Sequence, residues 1–235
     1  MEALGPVVMR QRWESLLFLH WEMPTDSIQE MLPEGLYVDT YSGQAYIGVV
    51  PFLMRKVRPR FLFCVPGISN FLELNLRTYV VDDEGRKGVW FFSLDANQRL
   101  AVWIARKCFA LPYYFAKMKY KRGDDGFAYF DSYRAGSAAQ RFGYQKTSKA
   151  EEAREGSFSH FLVERYSLFS SDEQTGRLYL GHIRHRPYRL ATVEISSYSE
   201  ELFKLSGFEC PGRLPDHQIY AEPVDVDIHP MRRLR

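Results

Sequence analysis

Apolar and polar residues alternate with a period of two along most of this chain, the signature of half-buried strands. The clearest case is residues 70–81, where Phe71, Glu73, Asn75, Arg77 and Tyr79 share one face and Leu72, Leu74, Leu76, Thr78 and Val80 the other. A turn at Asp82–Gly85 hands this strand to a hairpin partner at 87–94. Further strands are expected at 13–21, 36–40, 44–52, 115–121, 126–133 and 190–195, with a hairpin of 161–170 against 176–184 and an interrupted strand at 218–228. A helical period occurs once at length. Leu100, Ala101, Ile104, Ala105 and Cys108 form an apolar stripe, with Asp95 and Gln98 as a capping box and Pro112 as the stop. Two shorter helices are expected after Asp26 (with Gln29) and after Ser197 (with Glu200), the latter ending at Gly207. The stretches 55–66 and 134–157 read as loops. Strands outnumber helices several-fold. The expected fold is therefore mainly β (α+β), a closed or nearly closed twisted sheet with a few outer helices, in one domain spanning 1–235.

Composition narrows the classes of function. The 235 residues carry a formal net charge of only +2, too balanced for a nucleic-acid surface. Lys117, Lys119 and Lys121 share one strand face, read as solvated, and the basic end at Arg232, Arg233 and Arg235 reads as frayed. Cys64, Cys108 and Cys210 are far apart and form no motif, which points to a reducing, cytoplasmic setting. The longest apolar runs fall short of a membrane span, and no leader is read. No nucleophile elbow, dinucleotide fingerprint, phosphate loop or zinc-protease motif is present, so no cofactor is expected. His182 and His185 lie three apart in a strand and so point to opposite faces, which argues against a metal site. A homo-oligomer stays open.

The candidate chemistry lies on the polar face of 70–81. Aromatic Phe71 and Tyr79 flank Glu73, Asn75 and Arg77, and Glu73 and Arg77 stand about 13 Å apart along a strand, too far for an ion pair. The row is either a solvated face or the wall of a cavity suited to a small polar, anionic ligand. Pattern alone leaves both readings open.

The stretch from Ala105 to Met118 (Ala-Arg-Lys-Cys-Phe-Ala-Leu-Pro-Tyr-Tyr-Phe-Ala-Lys-Met) resembles the active-site motif of the acetoacetate decarboxylase superfamily. Arg106 and Pro112 match its arginine and proline, and Glu73 falls close to that family's active-site glutamate. With Phe18–Trp21, Leu32–Leu36, Val50–Phe52, Glu73–Tyr79 and Phe91–Ala96, nearly the whole chain resembles the YqjF-like family, an uncharacterised branch of that superfamily. The resemblance implies a cone-shaped sheet around a central cavity and favours the inward reading of Glu73, Asn75 and Arg77. Tyr113 and Tyr114, however, occupy the two lysine positions. A phenol forms no imine, so Schiff-base decarboxylation is not expected.

The first expectation is a protein that binds a small organic ligand, a carboxylate or carbonyl compound. Glu73, Asn75, Arg77, Tyr113, Tyr114, His20 and Arg106 would line the cavity, with Arg77 holding the anion, Tyr113 donating to a carbonyl and Glu73 accepting. The alternatives are a non-covalent acid/base enzyme in which Glu73 and Tyr113 are catalytic, and an interaction protein with a vestigial cavity.

Overall fold

The computed structural model describes residues 5–172 and 174–234. Its organising element is the strand Phe71–Asp82, which pairs antiparallel with Ala45–Pro59 on one side and Lys87–Ala96 on the other. From there the pairing runs round a ring. Ala45–Pro59 joins Met9–Glu14, which joins Val224–Ile228, then Leu178–Arg184, then Ser167–Ser171, and this last strand lies parallel to Lys87–Ala96. Leu16–Met23 and His217–Ala221 extend the sheet beside Ala45–Pro59.

Both faces of Phe71–Asp82 are covered. Leu72, Leu74 and Leu76 pack outward with Leu17, Leu19, Ile47 and Val49 against the helix Glu201–Leu205 and a second antiparallel sheet. That sheet comprises Tyr113–Arg122, Ala128–Arg134, Gln140–Lys146 and Val193–Ser197. The opposite face, carrying Phe71 and Tyr79, packs with Phe18, Val50, Phe52 and Met54 inside the ring. Alternation puts every second residue of each ring strand inward.

A register shift after Leu76, where Ser93 pairs Leu76 but Phe91 pairs Arg77, adds one residue to the partner strand. The bulge reverses the facing of that strand from this point on. Val89, Phe91 and Leu94 thereby line the interior, while Phe92 turns outward against Phe208.

Several local expectations are corrected. Residues 13–21 are two strands, broken at Ser15 by a positive φ of 54°. Asp95 caps nothing. Its strand continues to Ala96, and Gln98 itself caps the helix Arg99–Phe109 by accepting from the Leu100 N–H. Neither Asp26 nor Ser197 caps its helix. Gln29 instead bridges the backbone of Leu36 and Val38, and Ser199 Oγ accepts from the Glu201 N–H. The expected strand at 161–170 begins as the helix Phe158–Val163, capped by Ser157. The expected loop at 134–157 contains the strand Gln140–Lys146, because Phe142 and Tyr144 are buried against Phe130 and Tyr220. The expected frayed end pairs instead, Arg232 with Leu180 and Arg233 with Tyr179; Arg235 lies outside the described residues. No helix among the described residues is long and apolar enough to cross a membrane.

Asp95 is fully buried and is held by Arg134, whose guanidinium also donates to Ser93 Oγ at 2.5 Å. Burial raises the Asp95 carboxyl above its usual range, against the pull of Arg134. This pair clamps the second sheet to the ring. Arg134→Met leaves the carboxylate without its cation and is expected to cost about 3–5 kcal/mol in urea unfolding. Adding Asp95→Asn should recover part of that loss; if the single variant is as stable as the parent, the pair is not a clamp.

Candidate functional site

The inward residues of the ring strands enclose a cavity of about 390 Å³. Its walls are mostly apolar, built by Trp13, Phe18, Phe52, Phe91, Leu168 and Tyr188, and Glu73, Asn75, Arg77, Tyr113 and Arg165 add polar groups. A wider depression of about 530 Å³ lies on the outer sheet. It is built from the solvated lysines 117 and 119 and from Arg141, already paired with Asp131 at 2.6 Å, so it offers no unpaired charged group of comparable burial.

Tyr113 donates a 2.6 Å hydrogen bond to Glu73 Oε2. The geometry follows from local structure. The helix Arg99–Phe109 ends at Ala110, whose φ of 49° turns the chain sharply. Tyr113 then enters a strand parallel to Lys87–Ala96, beside Leu94 and one strand away from Glu73. Strand alternation sends its neighbour Tyr114 the other way. Tyr114 is exposed and stacks under the Arg134 guanidinium at 4.0 Å.

Glu73 is 4% exposed and has no cation beside it among the described residues. Desolvation raises its carboxyl to about 7, opposed only by hydrogen bonds from Tyr113 and Asn75. Tyr113 is pushed well above the ordinary phenol value, first by burial and then by the charge of Glu73. The phenol is therefore the donor, and the carboxyl is poised to hold or release a proton near neutrality.

Further along the same face, Asn75 Oδ1 and Arg77 Nε are buried without partners among the described residues. Arg77 donates through Nη2 to the Leu162 carbonyl at 3.2 Å and lies over the rings of Phe18 and Tyr79. No carboxylate pairs with it among the described residues. An unmet buried polar group costs about 1–3 kcal/mol, which a complementary ligand recovers.

Two expected site residues stand elsewhere. Arg106 is exposed on the outer side of its helix. His20 is fully buried but does not line the cavity. It sits behind Tyr79 in a chain of contacts from Tyr79 Oη to His20 Nε2 (2.7 Å), from His20 Nδ1 to His217 Nδ1 (3.0 Å), and from His217 Nε2 to Ser159 Oγ (3.0 Å). Burial, with repulsion from His217 and Arg77, holds His20 well below its usual value, and burial takes His217 to about 4. Gly48 makes room for this chain: a Cβ there would stand 2.9 Å from His20 Cδ2. His182 and His185 are engaged separately, with Ser167 Oγ and the Arg186 carbonyl. Lys117, Lys119 and Lys121 are exposed, and no lysine lines the cavity among the described residues.

Sequence reasoning missed Arg165. It lines the cavity while donating to Asp39 at 2.7 Å and to the Phe161 carbonyl at 2.8 Å. The unread cap at Ser157 was the signal, because the helix it starts delivers Arg165 to the ring. The apolar walls were also missed, since they come from strands far apart in sequence.

A family model described as an uncharacterized conserved protein, DUF2071, matches residues 10–225. The uncharacterized protein YqjF of Bacillus subtilis (strain 168) is 37% identical over 230 residues, covering 97% of this chain and 93% of that protein. Solved structures share the fold at low identity. The enduracididine biosynthesis enzyme MppR complexed with pyruvate has a TM-score of 0.69 at 12% identity (99% of this chain, 92% of that one). An acetoacetate decarboxylase-like enzyme from Sphingomonas wittichii RW1 scores 0.67 at 15% (99% and 95%), and acetoacetate decarboxylase from Legionella pneumophila 0.63 at 12% (98% and 89%).

The raised Glu73 value carries a stability signature. An acid whose proton is held more tightly when folded loses stability as pH rises from the unfolded value near 4.5 to about 7, and the loss then levels off. The neutral histidines act oppositely, lowering stability as pH falls below about 6.5. Comparison with Glu73→Gln isolates the first effect. Urea unfolding at pH 4.5 and pH 8 should show the parent losing roughly 3 kcal/mol relative to the variant. Parallel profiles would mean that Glu73 titrates normally.

Proposed function

The chain belongs to the DUF2071 family of uncharacterized conserved proteins, the family that its likeness to YqjF also indicates, and we propose that its cavity binds a small organic carboxylate carrying a carbonyl or hydroxyl oxygen. The observation that carries this reading is Arg77, a half-buried guanidinium on the cavity wall with a buried, unpartnered Nε and no carboxylate of its own among the described residues. Arg77 takes the carboxylate, and the unpartnered Asn75 Oδ1 accepts from a donor on the ligand. The Tyr113–Glu73 pair meets the second oxygen, donating to it through the phenol or through the protonated carboxyl. The pyruvate complex of the structural neighbour MppR supports an oxo acid as a starting ligand class.

Schiff-base decarboxylation is not part of this reading. Tyr113 and Tyr114 stand at the lysine positions of the decarboxylase motif as the sequence reads it, and no lysine lines the cavity among the described residues. A second reading has its own support: a carboxyl near 7 paired with a phenol is suited to move a proton at the carbon beside a carbonyl. In that case Glu73 is the base and Tyr113 the oxyanion donor.

Calorimetric titration with a panel of carboxylates and 2-oxo acids tests the binding reading. Arg77→Met should weaken binding by tenfold or more. Affinity should fall as pH rises through 7, because an ionised Glu73 repels the bound anion, and Glu73→Gln should flatten that dependence. Equal affinity in the Arg77 variant would sink the assignment. For the enzyme reading, NMR in D2O should show enzyme-dependent exchange of the protons beside the carbonyl, lost in Glu73→Gln; no exchange above background leaves binding alone.

A further inference from the structure

The polar row runs along the cavity from an open end to a sealed one. At the sealed end Arg77 meets the Leu162 carbonyl, under the helix Phe158–Val163, with Leu162 and Tyr79 fully buried. At the other end Phe71 pairs with Met54 and follows closely on the segment 57–69, whose two ends are tied by the Val57 N–H to Ser69 carbonyl bond. Phe71 and Arg77 are six positions apart, about 20 Å along the strand. Glu73 falls between them, so a carboxylate on Arg77 leaves the rest of its molecule pointing past Asn75 and Glu73 toward the open end.

That open end is apolar. Leu62, Val65 and Ile68 from the loop, and Leu100, Ala101, Ile104 and Ala105 from the helix Arg99–Phe109, contribute to the lining. Leu62, Val65, Ile68 and Leu100 are 61%, 47%, 39% and 43% exposed, so they form a portal rather than a packed core. Gln98 ties helix and loop together by donating to the Gly67 carbonyl at 2.8 Å. Four residues of the expected apolar stripe thus line the portal, while Cys108 is exposed and Val102, outside the stripe, is the buried residue of the helix. The cavity volume of about 390 Å³ also exceeds a three-carbon oxo acid. It corresponds to roughly a dozen water volumes at about 30 Å³ each.

We infer that the ligand is amphipathic, an acid whose carboxylate sits at Arg77 and whose apolar body, alkyl or aryl, of about six carbons or more, extends along the cavity to the portal of Leu62, Val65, Ile68, Leu100 and Ile104. This rests on the reading of the cavity as a carboxylate site and adds the class of molecule that fills it. The mostly apolar lining leaves a short polar acid with few partners beyond its head group. A longer body gains by leaving water at each added methylene.

The test is a titration series of straight-chain carboxylates from two to twelve carbons, with the matching primary alcohols as controls. Affinity should rise about three- to fourfold per methylene over several members before it levels off. The acids should bind at least tenfold better than the alcohols. Leu100→Gln, at a half-exposed position that tolerates a polar residue, should reduce the gain per methylene. Short acids that bind in an Arg77-dependent way with no gain along the series would overturn the amphipathic ligand and leave the carboxylate site standing. Alcohols that bind as well as acids would remove the carboxylate site itself, and the absence of binding by every member would remove both.

Discussion

A strand that is covered on both faces normally carries apolar residues on both. Phe71–Asp82 does so only outward, where Leu72, Leu74 and Leu76 pack beneath the second sheet. Inward it places a carboxyl, an amide and a guanidinium among aromatic and aliphatic walls. Water is largely withdrawn from these groups, and each is forced to a different compromise. Glu73 keeps its proton up to about neutrality, Asn75 spends its donor on Glu73, and Arg77 lies on aromatic faces and one backbone carbonyl. Such a row is costly to fold around, which is the reason to read it as a site rather than as packing.

The surroundings are arranged to hold that row still. The bulge opposite Arg77 turns Phe91 and Leu94 inward while freeing Asp95 to pair with Arg134. The helix Phe158–Val163 seals one end and leads to Arg165, whose charge is met by Asp39. Behind Tyr79, the neutral pair His20 and His217 satisfies buried polar atoms without adding a charge. Gly48 permits this contact because its backbone lies where a side chain would strike the His20 ring. The histidines thus fix Tyr79, and through its ring the seat of Arg77.

Fold likeness alone does not carry chemistry from the structural neighbours to this chain. At 12–15% identity those neighbours share an architecture with it. What distinguishes this member is local. Tyr113 donates to the buried Glu73 carboxyl, and no lysine lines the cavity among the described residues. Leu62, Val65, Ile68 and Leu100 add apolar surface to the lining that the polar row by itself does not have.

The sequence alone determined the alternation of the central strand, its hairpin partner, the presence of the long helix, and Glu73, Asn75, Arg77 and Tyr113 as candidate residues. These are readable because side-chain direction within one strand or helix is set by its own period and needs no partner. Which face of the strand is wet, whether Tyr113 or Tyr114 points inward, and whether His20 and Arg106 reach the cavity depend on what packs across the sheet. The turn at Ala110, the bulge opposite Arg77 and the cap at Ser157 each shift parity or direction by a residue, and a single residue reverses the face. The apolar walls and Arg165 are gathered from strands and a helix spread from Trp13 to Tyr188, so only the closing of the ring brought them to one cavity.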